Sequence, residues 1–309
     1  RFCFSRRFSP DAPSRNGAAS VRCRRTGRSN GKPTPTDPRC AIDRGPDETG
    51  SAVTLVTMEI TLLQLDTVDS TNTYAKNRFV ELADGTLVVS SHQTAGRGRL
   101  GRKWESPPGV NLYASLVIKQ VRSPVLCGAV LGLAAIDTIR ELAPELKPFL
   151  KWPNDVYLGD AKVAGILCES TGFEGDRIAG IVAGIGLNVN MNAAQLAGID
   201  QRATSLRLAA NREFDLRIVL NSLEKSLSRY YSAKLARPDD LFETWKTQHK
   251  LLGQYLEIID GKGEIHCGIF AGIDPDGAMI LRGSDGTARR FDCGDVRINR
   301  DRVKWHDIH

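Results

Sequence analysis

The chain lacks the motifs of the commonest nucleotide and hydrolase sites. It has no G-x-x-x-x-G-K-[ST] phosphate loop, no H-E-x-x-H and no G-x-S-x-G. P-loop NTPase, zincin and α/β-hydrolase chemistries are thereby set aside, and positioning by cations remains. It also lacks paired cysteines. The seven, at 3, 23, 40, 127, 168, 267 and 293, show no C-x-x-C spacing, which argues against zinc and thioredoxin-like sites. An odd count in a long chain favours a reducing compartment. Cys127 and Cys168 lie in apolar segments and are expected to be buried thiols. No apolar run approaches the length of a membrane span.

A basic folded body is missing as well. The formal net charge is +6, but residues 1–57 hold eleven Lys/Arg against five Asp/Glu and carry the entire excess. The remainder balances, so it offers no general basic surface for nucleic acid. Residues 1–57 are rich in Arg, Ser, Pro and Gly and read as disordered. The chain opens on Arg, and Met58 opens the first patterned segment. Three explanations compete: an upstream frame wrongly included, an organelle transit peptide, or a nucleic-acid-binding arm. The first is favoured.

What is present centres on Gly96-Arg97-Gly98-Arg99-Leu100-Gly101-Arg102-Lys103-Trp104. Glycine lets backbone approach a ligand closely. Arginine brings a planar fork for phosphate or carboxylate, and tryptophan a face for a purine ring. The spacing also fits G-x-G-x-x-G. That dinucleotide fingerprint needs a helix opening at the glycines, and Pro107-Pro108 forbid one here. A solvated basic loop is the plain alternative for this segment alone.

Two further blocks are dense in chemistry. Asp69-Ser70-Thr71-Asn72 follows a strand at 60–65 and precedes a helix expected over 73–82. These residues either cap that helix or also face a ligand. Lys151-Trp152-Pro153-Asn154-Asp155 leads into a hairpin turning at Gly159-Asp160 and returning through Lys162 to Glu169. Asp155 and Lys162 then sit on opposite arms, either as a surface ion pair of little value or as part of a site. Strands are expected at 86–92, 111–118 and 177–190, the last punctuated by Gly180, Gly184 and Gly186. Helices are expected from Pro124, over 215–234 and over 241–249. After Gly253, four short strands separated by Asp-Gly pairs read as a small barrel.

Taken in order, Ser70–Asn72, Gln93, the Gly96–Trp104 loop, Lys151–Asp155, Lys162–Ile166 and Gly184–Asn188 resemble the blocks of the biotin protein ligases (biotin–[acetyl-CoA-carboxylase] ligases). The resemblance runs from Glu59 to roughly Asn299. It implies an α+β fold: a class II aminoacyl-tRNA synthetase-like mixed sheet with flanking helices, plus an SH3-like C-terminal barrel. The implied domains are the extension 1–57, a catalytic domain 58–251 and a C-terminal domain 252–309. The implied reaction joins biotin to ATP, with Mg2+, as biotinyl-5′-AMP. It then transfers biotin to a lysine of a biotin carboxyl carrier protein.

By the same resemblance Ser70, Thr71, Asn72 and Gln93 would contact biotin. Arg97, Gly98 and Arg99 would wrap carboxylate and phosphate. Trp104 would cover the adenine, with Asn188 on the nucleotide side. Lys162 would neutralise charge where carboxylate meets phosphate, and Asp155 would orient that lysine or the incoming amine. Arg102, Lys151, Gly165 and Gly186 complete the implied binding set, and Arg99, Lys162 and Asp155 the implied catalytic set. No metal ligands are implied. A cytoplasmic protein that is free of DNA and membrane, able to form a homodimer, is expected, since residues 1–57 do not look like a helix-turn-helix. The alternatives are a lipoate ligase or octanoyltransferase, the latter needing a reactive cysteine such as Cys168 near Lys162, and a biotin-sensing DNA-binding regulator.

Overall fold

The computed structural model describes residues 59–298 and Val303. The readings for 1–57 and for Met58 lie outside the described residues. Strand β1 (Thr61–Val68), helix α1 (Thr71–Asn77), β2 (Thr86–Gln93) and β3 (Leu112–Ile118) come first. Helix α2 (Pro124–Leu142) leads to β4 (Pro148–Lys151), β5 (Asp155–Leu158) and β6 (Ala161–Ser170). A short hairpin of β7 (Phe173–Glu174) and β8 (Arg177–Ile178) precedes β9 (Ile181–Leu187). Helices α3 (Ala193–Leu196), α4 (Leu206–Ala210), α5 (Leu216–Ala236) and α6 (Pro238–Thr247) follow. The chain closes on β10 (Tyr255–Ile259), β11 (Ile265–Ile273), β12 (Met279–Arg282), β13 (Ala288–Phe291) and β14 (Asp295–Arg297).

Seven strands form one sheet in the order β1-β2-β3-β9-β6-β5-β4. Only the β1–β2 pair is parallel. Side chains alternate across each strand, and the sequence exploits this. Leu87 and Val89, with Ala114 and Leu116, join the main core under α2 and α5. Val88, Val117 and Val182 point the other way and pack with Ala75 of α1. Helix α5 is held by the buried stripe Val219, Leu220, Leu223 and Leu227, each such residue contributing about 1.5–3 kcal/mol of apolar burial. No helix among the described residues is long and apolar enough to cross a membrane.

The face carrying α1 is thinly covered and bears the glycines. A Cβ on Gly184 would lie 2.1 Å from Asn72 Oδ1, and one on Gly186 would lie 2.3 Å from the Trp104 ring. The sheet backbone thus forms the floor of a cleft because side chains are absent there.

Several expectations change in detail. Helix α1 is shorter than the 73–82 expected and starts two residues earlier. Its N-cap Ser70 makes no side-chain capping bond, and the next two residues, Thr71 and Asn72, bond across to other strands. Cys168 is exposed, not buried, and a Cβ on Gly128 of α2 would lie 3.6 Å from its sulfur. The C-terminal strands form an open antiparallel sheet, β13-β12-β11-β10-β14. Its edge strands β13 and β14 do not pair among the described residues, so no closed barrel is seen.

Candidate active site

One cleft gathers Ser70, Thr71, Asn72, Gln93, Arg97, Gly98, Arg99, Arg102, Trp104, Asp155, Lys162, Gly165 and Gly186. It brings together thirteen of the sequence-derived site residues. Lys151 and Asn188 do not line it. Asn188 is 2% exposed and spends its amide inward, donating to Thr204 O at 3.0 Å and accepting from Asn111 at 3.4 Å. Lys151 is buried, with Nζ 5.1 Å from the Tyr157 ring centroid. Burial pulls its ammonium down to about 8, with Asp155 opposing.

A bulge puts Lys162 in place. Asp155 pairs with Gly165 and Val156 with Ala164, but Tyr157 pairs with Lys162, so Val163 is the extra residue. Val163 and Ala164 both join the core. Lys162 is thereby turned onto the cleft face beside Gly165. Its Nζ lies 2.7 Å from Asp155 Oδ1 and 5.2 Å from the Trp104 ring centroid. Both partners are largely buried, with side chains 10% and 11% exposed. A buried pair of this kind is weak evidence for stability, and its position in a cleft points to function.

The glycine–arginine loop is a compact hairpin. Gly98 N donates to Arg102 O at 2.7 Å and Trp104 N to Gly96 O at 2.9 Å. Leu100 at its tip adopts a left-handed conformation, φ 56°, an uncommon state for a side chain of this kind. Each arginine has its own anchor. Arg97 pairs with Glu169 at 2.9 Å. Arg99 donates to Asn154 Oδ1 at 3.0 Å and to Gly294 O at 3.4 Å. Arg102 pairs with Asp295. The C-terminal segment therefore supplies two of the loop's contacts. Trp104 lies on the glycine floor with its buried Nε1 unpartnered, a donor that a ligand acceptor would satisfy.

The opposite wall is neutral and polar. The Thr71 N–H donates to Gln93 Oε1 at 2.9 Å, and Gln93 Nε2 donates to Ser106 at 3.0 Å. Ser106 in turn donates to Trp104 O at 3.0 Å. Ser115, fully buried on β3, lies 2.7 Å from Thr71 Oγ1 and 2.6 Å from Asn72 Oδ1. Ser106, Ser115, Glu169 and Asp295 escaped the sequence reading, and Asn154 stood in the Lys151–Asp155 block without an assigned role. For Glu169 a signal existed, since it follows Gly165 and Leu167 at period two on β6.

Comparison with known proteins decides the family. Residues 65–188 match the Biotin/lipoate A/B protein ligase family and 251–298 the Biotin protein ligase C terminal domain. The chain is 36% identical over 248 residues to the bifunctional ligase/repressor BirA of Salmonella typhimurium, covering 76% of this chain and 73% of that protein. It is 33% identical to the biotin–[acetyl-CoA-carboxylase] ligase of Paracoccus denitrificans, covering 71% of this chain and 92% of the relative. The chain belongs to the biotin protein ligase family. The structure is similar to the biotin protein ligase of Aquifex aeolicus solved with biotin and ATP, with TM-score 0.65 and 28% identity over 77% of this chain and 97% of that one. As a member of this family the chain is a biotin protein ligase enzyme, consistent with ATP and biotin as ligands.

Proposed function

We propose that this ligase adenylates biotin with ATP and transfers it to a specific lysine of a biotin carboxyl carrier domain. The observation that carries the reading is one cleft with two chemically distinct walls. The neutral wall of Ser70, Thr71, Asn72 and Gln93 suits an uncharged ureido ring. The cationic wall of Arg97, Arg99 and Lys162 suits the point where a carboxylate meets a phosphate.

In the first step a biotin carboxylate oxygen attacks the α-phosphorus, and the bond to the β-phosphate oxygen breaks as pyrophosphate leaves. Lys162, held by Asp155, faces the developing negative charge, and a preorganised cation there lowers the barrier more than it aids ground-state binding. In the second step the carrier amine attacks the anhydride carbonyl, AMP leaves, and the amide forms as the amine loses a proton. Asp155 orients Lys162 or that amine, and Trp104 covers the adenine. Magnesium would enter with the ATP phosphates. Asp155 and Asp295 at the cleft, and Glu169 behind Asn72 and Arg97, each carry a cationic partner. The cluster Asp260, Glu264 and His266 lies on the C-terminal sheet and does not line the cleft.

On this reading 58–251 is the catalytic portion, related to the class II synthetases, and 252–309 an SH3-like module. The helix-flanked mixed sheet and the antiparallel C-terminal meander support that. A thiol mechanism of the octanoyltransferase type is disfavoured because Cys168 and Lys162 sit on opposite faces of β6. Intact mass of a carrier domain incubated with the chain, MgATP and either biotin or lipoate tests the proposal. One biotinyl group, gained only with biotin and ATP together, is expected. Lipoyl transfer, or no transfer, overturns it.

A further inference from the structure

Glu169 lies outside the sets the sequence singled out, yet it touches both halves of the site. Its Oε2 accepts from Asn72 Nδ2 at 2.9 Å and pairs with Arg97 at 2.9 Å, while Oε1 pairs with Lys76 of α1 at 3.1 Å. Asn72 Nδ2 also donates to Leu167 O at 3.0 Å, and its Oδ1 accepts from Ser115 at 2.6 Å. The amide is therefore held from both ends in one orientation. The Glu169 side chain is 18% exposed. Burial works to raise its carboxyl, but Asn72, Lys76 and Arg97 outweigh that and hold it below the ordinary carboxylate range. Glu169 stays charged, and its charge joins the neutral wall to the stem of the glycine–arginine loop.

We propose that Glu169 is a positioning residue of the ligase: its carboxylate fixes the Asn72 amide and the Arg97 guanidinium relative to each other, so that both ends of the small acid substrate are set by one group. The inference rests on the biotin ligase reading above. A group acting this way governs substrate affinity through Arg97 and leaves the phosphoryl chemistry at Lys162 largely alone.

The test uses Glu169→Gln, which keeps the shape and an acceptor for Asn72 but removes the charge, together with Arg97→Met and the double variant. Biotin binding by titration calorimetry and kcat by biotin-dependent pyrophosphate release are measured, with unfolding midpoints recorded alongside. Each single variant is expected to weaken biotin binding about tenfold, as for a lost charge-assisted hydrogen bond, and Glu169→Gln is expected to keep kcat within about threefold. The double variant is expected to lose no more than either single one, because both break the same link. Unchanged affinity in Glu169→Gln, additive losses in the double variant, or a fall in kcat alone each overturns the proposal. Failure of the wild-type chain to bind biotin would instead sink the ligase reading, so the two failures are distinguishable.

Discussion

Lys162 Nζ and Asp155 Oδ1 lie 2.7 Å apart on adjacent strands of one hairpin, and a bulge after Lys162 aims the ammonium into the cleft. The pair is buried beside Arg99, Arg102 and Trp104. Its partners are close enough in sequence to invite the reading of a surface ion pair, and its burial removes that reading. Lys162→Ala is expected to cut adenylate formation by about 2.7–4 kcal/mol, the magnitude of losing one preorganised donor. Biotin affinity should change far less. Pyrophosphate release at saturating biotin, set beside calorimetric biotin binding, checks this split.

The glycine floor makes a steric prediction. A Cβ at Gly186 would meet the Trp104 ring at 2.3 Å, and one at Gly165 would meet it at 2.9 Å. Gly186→Ala should displace the indole, weakening nucleotide binding and lowering folding stability by about 1–3 kcal/mol, the usual penalty of overpacking. Calorimetric ATP binding and a thermal melt separate the two effects.

Those glycines also show how much was legible in the sequence. The loop, the Ser70–Asn72 block and the Lys151–Asp155 block declare themselves because their chemistry is local: forks, amides and missing Cβ atoms within a few residues. The helical stripe of α5 and most strands follow from periodicity in the same way. Ser115 and Glu169 are ordinary polar residues until pairing sets which face of the sheet they occupy. Arg102 finds Asp295 across 193 residues, a separation no local pattern spans. Strand β4 is four residues long and opens on Pro148, and β14 is three residues long with charged ends, too short for a two-residue period to stand out. Asn188 reads as ligand-facing because it is an amide beside a glycine-rich strand, and its partners here, Asn111 and Thr204, come from elsewhere in the chain.

The contact between Arg102 and Asp295 predicts a modest, salt-sensitive effect. Arg102 is more than half exposed, so solvent screens the pair and its worth is about 0.2–1 kcal/mol. Asp295→Ala should raise the KM for ATP by a factor of about two to five at low ionic strength. The difference from wild type should shrink as salt rises. A KM series across ionic strength measures both.

His249 predicts the acid limit of stability. It is 4% exposed, its two ring nitrogens have no partner, and it packs edge-on against Trp245 with centroids 4.5 Å apart. Burial alone lowers its pKa to about 3, well under the ordinary 6.5. Between these values the unfolded chain binds a proton that the folded chain refuses. Folding stability should therefore fall as pH drops below about 6.5, by up to about 1.4 kcal/mol per pH unit from this residue. His249→Leu should flatten that part of the profile. Denaturant unfolding of both proteins between pH 4 and 7 reads it directly.

On the proposed mechanism, one cleft activates biotin as an adenylate before any carrier is present. Exchange of labelled pyrophosphate into ATP tests it most directly, because exchange requires reversible adenylate formation and no second substrate. Exchange is expected to depend on added biotin, to proceed without carrier, to go unsupported by lipoate or octanoate, and to collapse in Lys162→Ala. Exchange that ignores biotin, or that runs equally well with lipoate, would contradict it.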